Sequence, residues 1–89
     1  MAPHAPMPIG WTPRARRAME RLPEKVATAA AEFIYGPLAD NPQRVGKPLR
    51  FEMSGLHGAR RGDYRVIYRI GGQVTILAVE HRSDVYRPR

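Results

Sequence analysis

Tyr64-Arg65-Val66-Ile67-Tyr68-Arg69-Ile70, then Gly71-Gly72, then Gln73-Val74-Thr75-Ile76-Leu77-Ala78-Val79 is the stretch that decides the fold of this chain. Both runs are dense in β-branched and aromatic residues, which suit the pleated surface of a strand. The glycine pair between them can adopt the positive φ angles that a tight two-residue hairpin turn requires. A two-residue loop sets Ile70 opposite Gln73 and pairs Tyr68 with Thr75, Val66 with Leu77, Arg65 with Ala78 and Tyr64 with Val79. On that register Tyr64, Val66, Tyr68 and Ile70 share one face with Thr75, Leu77 and Val79. The other face carries Arg65, Ile67 and Arg69 beside Val74, Ile76, Ala78 and Glu80, and continued alternation adds Arg82. The first face is apolar enough to pack under helices, while the second is expected to stay open.

Helices to cover the first face are found toward the N-terminus. Thr12-Pro13 is a helix start, a capping hydroxyl followed by a proline at the first helical position. Ala15, Ala18, Met19 and Leu22 then recur at helical spacing until Pro23 ends the run. Pro23 serves as the N1 proline of a second helix, with Glu24 in its first turn near the positive dipole end and an apolar stripe of Val26, Ala29, Ala30, Phe33 and Ile34. The pair reads as an αα-hairpin. Gly36-Pro37 weakens its end, Leu38 extends the stripe, and Asp40-Asn41-Pro42 closes it. Residues 43–55 read as a basic connection with a short strand-like stretch anchored by Leu49 and Phe51. The expected fold is therefore α+β: an N-terminal αα-hairpin on one face of a small, twisted, mainly antiparallel sheet of three to four strands.

With 89 residues the chain has the length of one compact domain, taken as 1–89. Pro3, Pro6 and Pro8 favour a flexible or extended arm over residues 1–8. Fifteen Lys plus Arg against eight Asp plus Glu give a formal charge of +7, so polyanions are drawn to any cationic cluster. Nucleic acid leads as a partner, with acidic proteins second. All but Lys25 and Lys47 of these cations are arginines, whose planar donor fork suits phosphates and base stacking. A GC-rich coding sequence would produce the same bias. The chain has no cysteine, which excludes disulfides, thiolate zinc sites and a cysteine nucleophile and fits the cytoplasm. No apolar run approaches a bilayer-spanning length, so no membrane partner is expected. Metal-ligand spacing, phosphate loops and nucleophile–base pairs are also absent, and no metal or cofactor is expected.

The open face would display Arg65 and Arg82 within reach of one phosphate-sized group, with Arg60 or Arg61 from a preceding strand beside them. The same residues admit a plainer use, in which Arg65 pairs diagonally with Glu80 and the remaining arginines solvate a surface.

Two segments carry a resemblance. Arg60-Arg61-Gly62-Asp63-Tyr64-Arg65-Val66-Ile67-Tyr68-Arg69-Ile70 and Glu80-His81-Arg82-Ser83-Asp84-Val85-Tyr86, together with the order of helices and basic connection before them, are similar to the RelE family of toxins. The likeness runs from about Trp11 onward and is strongest to mycobacterial RelE-type members. It implies a type II toxin–antitoxin toxin that enters the ribosomal A site and cuts mRNA there, restrained by a cognate antitoxin. It also implies a strand before the first helix, which here falls at Met7 to Trp11, where Pro8 and Gly10 confine it to an edge. The family's chemistry is metal-free attack of a ribose 2′-hydroxyl on the adjacent phosphate. Arg65 matches the arginine of the family's GDYR motif and is assigned to transition-state charge stabilisation. Arg82 matches the C-terminal arginine and Tyr86 the functional tyrosine, for leaving-group assistance and base stacking or proton transfer. His81 is, by residue type, the best suited to general acid–base work. Arg60, Arg61, Lys47 and Arg50 are the candidates for RNA and ribosome binding. One departure stands out: where many members place two basic residues at alternate strand positions before GDYR, this chain has Gly58 and Arg60, and Arg61 would compensate only if a bulge turned it inward.

Two other functions stay open at this level. One is a ParE-like toxin that inhibits DNA gyrase, since fold alone does not fix target. The other is a basic RNA-binding or ribosome-associated module without chemistry, recognisable by salt-sensitive binding with no cleavage products.

Overall fold

The computed structural model describes residues 6–81. A five-stranded mixed sheet carries the helices on one face. In chain order the elements are strand β1 (Ile9–Trp11), helix α1 (Pro13–Arg21) and helix α2 (Glu24–Phe33), which continues as a π-helical segment (Ile34–Leu38). Helix α3 (Pro42–Val45), strand β2 (Lys47–Pro48), a 3₁₀ turn (Phe51–Met53) and strands β3 (His57–Arg61), β4 (Tyr64–Ile70) and β5 (Val74–His81) complete them. The strand order is β1-β5-β4-β3-β2, with β1 parallel to β5 and every other neighbour antiparallel. No helix among the described residues is long and apolar enough to cross a membrane.

Five strands replace the expected three to four because both sheet edges are extended by very short segments. Strand β1 forms despite Pro8 and Gly10, since an edge strand needs only one of its sides for pairing. The Pro8 carbonyl accepts from Val74 N at 2.9 Å and Thr12 N donates to the Ile76 carbonyl at 3.0 Å. Met7 N is held by the Ala39 carbonyl at 2.9 Å. The expected arm over 1–8 is thus tied to the fold at its last two residues, while 1–5 lie outside the described residues.

Helix α1 starts where the sequence places it and α2 within one residue of it. The Thr12 hydroxyl accepts from Ala15 N at 3.1 Å, the N-cap bond, and Pro13 follows in the first turn. Pro23, expected at the first helical position of α2, is instead its N-cap, so α2 begins one residue later at Glu24, and the Pro23 carbonyl accepts from Ala27 N. Helix α2 passes through Gly36-Pro37 by widening into the π-helical segment, which accommodates the N–H that Pro37 lacks. Leu38, at the end of that segment, is fully buried. The helical layer is therefore longer than a simple two-helix hairpin, and α3 adds a further turn that the sequence pattern did not reveal.

The core joins Ala15, Leu22, Ala30, Phe33, Ile34 and Leu38 from the helical layer to Tyr64, Val66, Tyr68, Val74, Ile76 and Val79 from the sheet. Ala29, expected on the apolar stripe, is exposed. The hairpin register also differs from expectation. Its loop is Gly71-Gly72-Gln73, one residue longer, so Ile70 pairs with Val74 and Tyr68 with Ile76. This turns Val74 and Ile76 into the core instead of Thr75 and Leu77, a one-residue slip that reverses the faces. A bulge at Leu77 then restores the phase, so that Val66 meets Val79 and Arg65 meets Glu80. The Thr12 hydroxyl donates to the carbonyl of that bulged Leu77 at 3.3 Å, tying the start of α1 to the irregularity.

Candidate functional site

The candidate site is the sheet face opposite the helices. Along β4, Arg65, Ile67 and Arg69 alternate with the core residues Val66 and Tyr68 and so point to this face. Strand β3 contributes Gly58 and Arg60, which pair with Ile67 and Arg65. Strand β5 contributes Ala78 and Glu80, opposite Ile67 and Arg65. Arg60, Arg65 and Glu80 consequently form one row across three strands.

Glu80 holds Arg65. Its Oε1 accepts from Arg65 Nη2 at 2.6 Å and from Arg65 Nε at 3.1 Å. The pair is direct rather than diagonal, because the bulge at Leu77 moves Glu80 into register with Arg65. Its two side chains are 41% and 32% exposed, so the bond fixes the guanidinium's direction more than it adds stability. Arg60 lies opposite Arg65 in the register and is exposed. Like charges directly opposite on a sheet repel, and the single carboxylate of the row offsets only one of the two guanidiniums. A phosphate placed over the row would relieve that repulsion.

The other sequence-derived candidates divide. Lys47 pairs with Gly58, in line with the row's neighbouring residues, and is exposed, as is Arg50 just beyond β2. Arg61 goes to the opposite face, its guanidinium 4.6 Å from the centroid of the Phe33 ring, because no bulge interrupts β3. It therefore stands apart from Arg60 and Arg65. His81 pairs with Tyr64 and alternation assigns it to the helix-bearing face, away from the Arg65 row. Arg82 and Tyr86 lie outside the described residues.

Gly58 has a physical reason in this chain. A β-carbon there would stand 3.2 Å from Leu49 Cδ2, so the Leu49 side chain occupies the space over the strand where a basic side chain would begin. Leu49 is anchored by its own N–H on the Leu56 carbonyl at 2.9 Å.

Beneath the site the sheet is rigidly supported. The Tyr68 ring stacks on His57, with centroids 5.6 Å apart, and its hydroxyl donates to the Pro42 carbonyl. Burial pushes the Tyr68 hydroxyl pKa up to about 12. Burial also raises that of Tyr64, with Arg61 working against it. On the helical side, a groove of about 450 Å³ is lined by Trp11, Met19, Ala27, Ala31 and Tyr35 among others, and Trp11 Nε1 donates to the Tyr35 hydroxyl at 2.8 Å.

Three residues on or beside this face were not among the sequence-derived candidates. Arg69 carried a signal, since it alternates with Arg65, and it is exposed. Glu80 had one too, as the only carboxylate on the expected open face of the hairpin. Phe51 had none, because an aromatic in a basic connection reads as an anchor, and it is 85% exposed.

Comparison with known proteins defines the class. Residues 9–86 match the family model described as the ParE toxin of the type II toxin–antitoxin system parDE. The chain belongs to this family of type II toxins, and within it to the RelE type. It is 49% identical over 90 residues to the toxin RelE of Mycobacterium tuberculosis, covering 98% of this chain and 93% of that toxin. It is 47% identical over 85 residues to the toxin RelG of the same organism, covering 92% of this chain and 98% of that toxin. Among solved structures, the toxin–antitoxin complex RelBE2 of M. tuberculosis contains a chain that superposes with a TM-score of 0.85 at 46% identity. The match covers 88% of this chain and 100% of that one.

Proposed function

We propose that this toxin is a ribosome-dependent endoribonuclease that cuts mRNA in the A site and so arrests translation in the cytoplasm, restrained by a cognate antitoxin. The observation that supports it most is the row Arg60–Arg65–Glu80 on a sheet face that carries no helix among the described residues. Cleavage by 2′-hydroxyl attack needs a proton acceptor, charge stabilisation on the phosphate and protonation of the leaving 5′-oxygen. Arg65, oriented by Glu80, stabilises the phosphorane-like charge, and Arg60 binds the same phosphate from the neighbouring strand. Glu80, the carboxylate of the row, accepts the 2′-hydroxyl proton. Arg82 and Tyr86 are assigned to the leaving-group side by the family motif, while Lys47, Arg50 and Arg69 bind flanking phosphates. His81, on the other face of the sheet, is a less suitable proton carrier for this row than Glu80. An antitoxin partner is supported by the likeness to a chain solved as part of a toxin–antitoxin complex.

The test is a reconstituted bacterial translation reaction with a defined mRNA, in which new 5′ ends are mapped with and without ribosomes. Cleavage within codons that requires ribosomes, and that fails with Arg65→Ala and Glu80→Gln while ribosome binding persists, is the expected result. Cleavage that survives both substitutions unchanged would remove the row from the mechanism. The ParE name of the family model favours one second reading, inhibition of DNA gyrase. A supercoiling assay decides it: loss of supercoiling with intact mRNA would replace the nuclease reading.

A further inference from the structure

Phe51 sits where an aromatic side chain has no structural reason to be. It is 85% exposed and has a φ of 61°, the left-handed region that bulky L-residues avoid. Backbone hydrogen bonds close the loop on either side of it. Met53 N donates to the Arg50 carbonyl at 3.1 Å, Ser54 N to the Phe51 carbonyl at 3.0 Å and Leu56 N to the Met53 carbonyl at 3.1 Å. An exposed ring maintained in a disfavoured backbone state is the kind of strain that collects at binding sites.

The surroundings of the ring select the partner. Lys47 and Arg50 precede it and both are exposed, against one acid of the loop, Glu52. Leu49, two residues earlier, lies over Gly58 on the same sheet face as Arg60 and Arg65. The loop therefore rims the proposed cleavage face. Met53, at 38%, is much less exposed than the ring, and Lys47, Arg50 and Glu52 stand exposed around the two, so charge interrupts the apolar surface here. A flat ring beside cations suits an unpaired base, stacked on its π-face while the cations take the adjoining phosphates. Duplexed bases offer no such face.

We infer that Phe51 is a base-stacking residue which, with Arg50 and Lys47, holds an unpaired nucleotide of single-stranded RNA at the rim of the Arg60–Arg65 face. This rests on the reading of the protein as an RNA-cleaving toxin and adds to it a substrate-positioning contact.

The experiment measures affinity for bacterial 70S ribosomes carrying a 2′-O-methylated mRNA, which cannot be cut, and for a labelled single-stranded RNA 10-mer, over a salt series. Cleavage of unmodified mRNA and thermal melting are followed in parallel. Phe51→Gly removes the ring and suits the positive φ, whereas Phe51→Trp keeps a stacking surface. Phe51→Gly is expected to weaken binding about 5- to 100-fold, Phe51→Trp to restore it, and the melting temperature of Phe51→Gly to be unchanged or higher. The slope of log affinity against log salt stays constant for both, because no cation is lost, while Arg50→Ala lowers it by about 1. Wild-type binding and cleavage with Phe51→Gly equal to wild type would overturn the inference and leave the nuclease reading intact. Unchanged RNA affinity with altered self-association in sedimentation would overturn it in favour of a protein contact. A wild type that neither binds nor cleaves would overturn the nuclease reading and this inference with it.

Discussion

On the helix-bearing face of the sheet, Val66, Tyr68, Val74 and Ile76 have no exposed surface, and Tyr64 and Val79 have very little. On the other face the same strands present Arg60 and Arg69 to solvent and leave Arg65 partly exposed. Arg60 and Arg61 make the contrast sharpest, as chain neighbours on opposite faces. Arg60 stands opposite Arg65 and is exposed, whereas Arg61 lies over the Phe33 ring. The lesson is that in this toxin a cation's role follows from the strand phase it occupies, and basic composition alone does not assign it. One face is organised for stability, and we place chemistry on the other.

Substitutions can break or sharpen that division. The largest effect is expected for Arg65→Ala on the open face. It should lower ribosome-dependent cleavage about 10²- to 10³-fold, as loss of an electrostatic stabiliser does, while thermal unfolding changes little. Primer extension on translating ribosomes and a melting curve check the two halves, and a large fall in melting temperature would blur the division of faces. Gly46→Ala is the reverse case. A β-carbon at Gly46 would stand 2.2 Å from the Tyr68 hydroxyl and 2.9 Å from the Gly58 carbonyl oxygen. The resulting overpacking should cost about 1–3 kcal/mol in denaturant unfolding, with cleavage per folded molecule preserved.

Tyr68→Phe should cost about 1 kcal/mol at neutral pH through the lost bond to the Pro42 carbonyl. It should also change the alkaline behaviour. The folded state holds the Tyr68 proton up to about 12 against 10.0 for an unburied tyrosine. Stability from this group is therefore complete below pH about 10 and is lost as pH rises toward about 12. Unfolding measured across that window should fall less steeply for Tyr68→Phe than for wild type, with Tyr64 sustaining the remainder. The smallest effects separate the adjacent arginines. Arg61→Met should cost about 0.5–1 kcal/mol of stability through the lost cation–π contact and leave RNA affinity alone. Arg60→Ala should leave stability alone and reduce the salt slope of RNA binding by about 1. Fluorescence binding and melting on both variants test the pair, and interchanged results would invert the assignment of faces.

Much of this is legible in the sequence. Thr12-Pro13 and Pro23 carry local start and stop chemistry, so α1 and α2 lie where the sequence indicates. The alternation of Tyr64 to Ile70 sorts β4 into its two faces and picks out Arg65, but it does not show that Ile67 and Ala78, on the face expected to be open, are buried, at 3% and 9% exposed. Where the reading failed, the deciding interactions were long-range. Nothing in Gly71-Gly72-Gln73 signals whether the loop has two residues or three. Nothing in Leu77 signals a bulge whose carbonyl is met by Thr12, 65 positions away.

By itself the sequence determined the α+β class, the two main helices, the central hairpin and the motifs that mark a RelE-type toxin, because each rests on interactions between residues close in the chain. Only the tertiary structure decided that Glu80 faces Arg65, that Arg61 and His81 turn away from it, that Leu49 fills the space over Gly58 and that Phe51 stands exposed. Those outcomes depend on strand register and on contacts across the sheet. Because side chains alternate faces with a period of two, a single residue gained or lost in a loop or bulge moves a side chain from one face to the other.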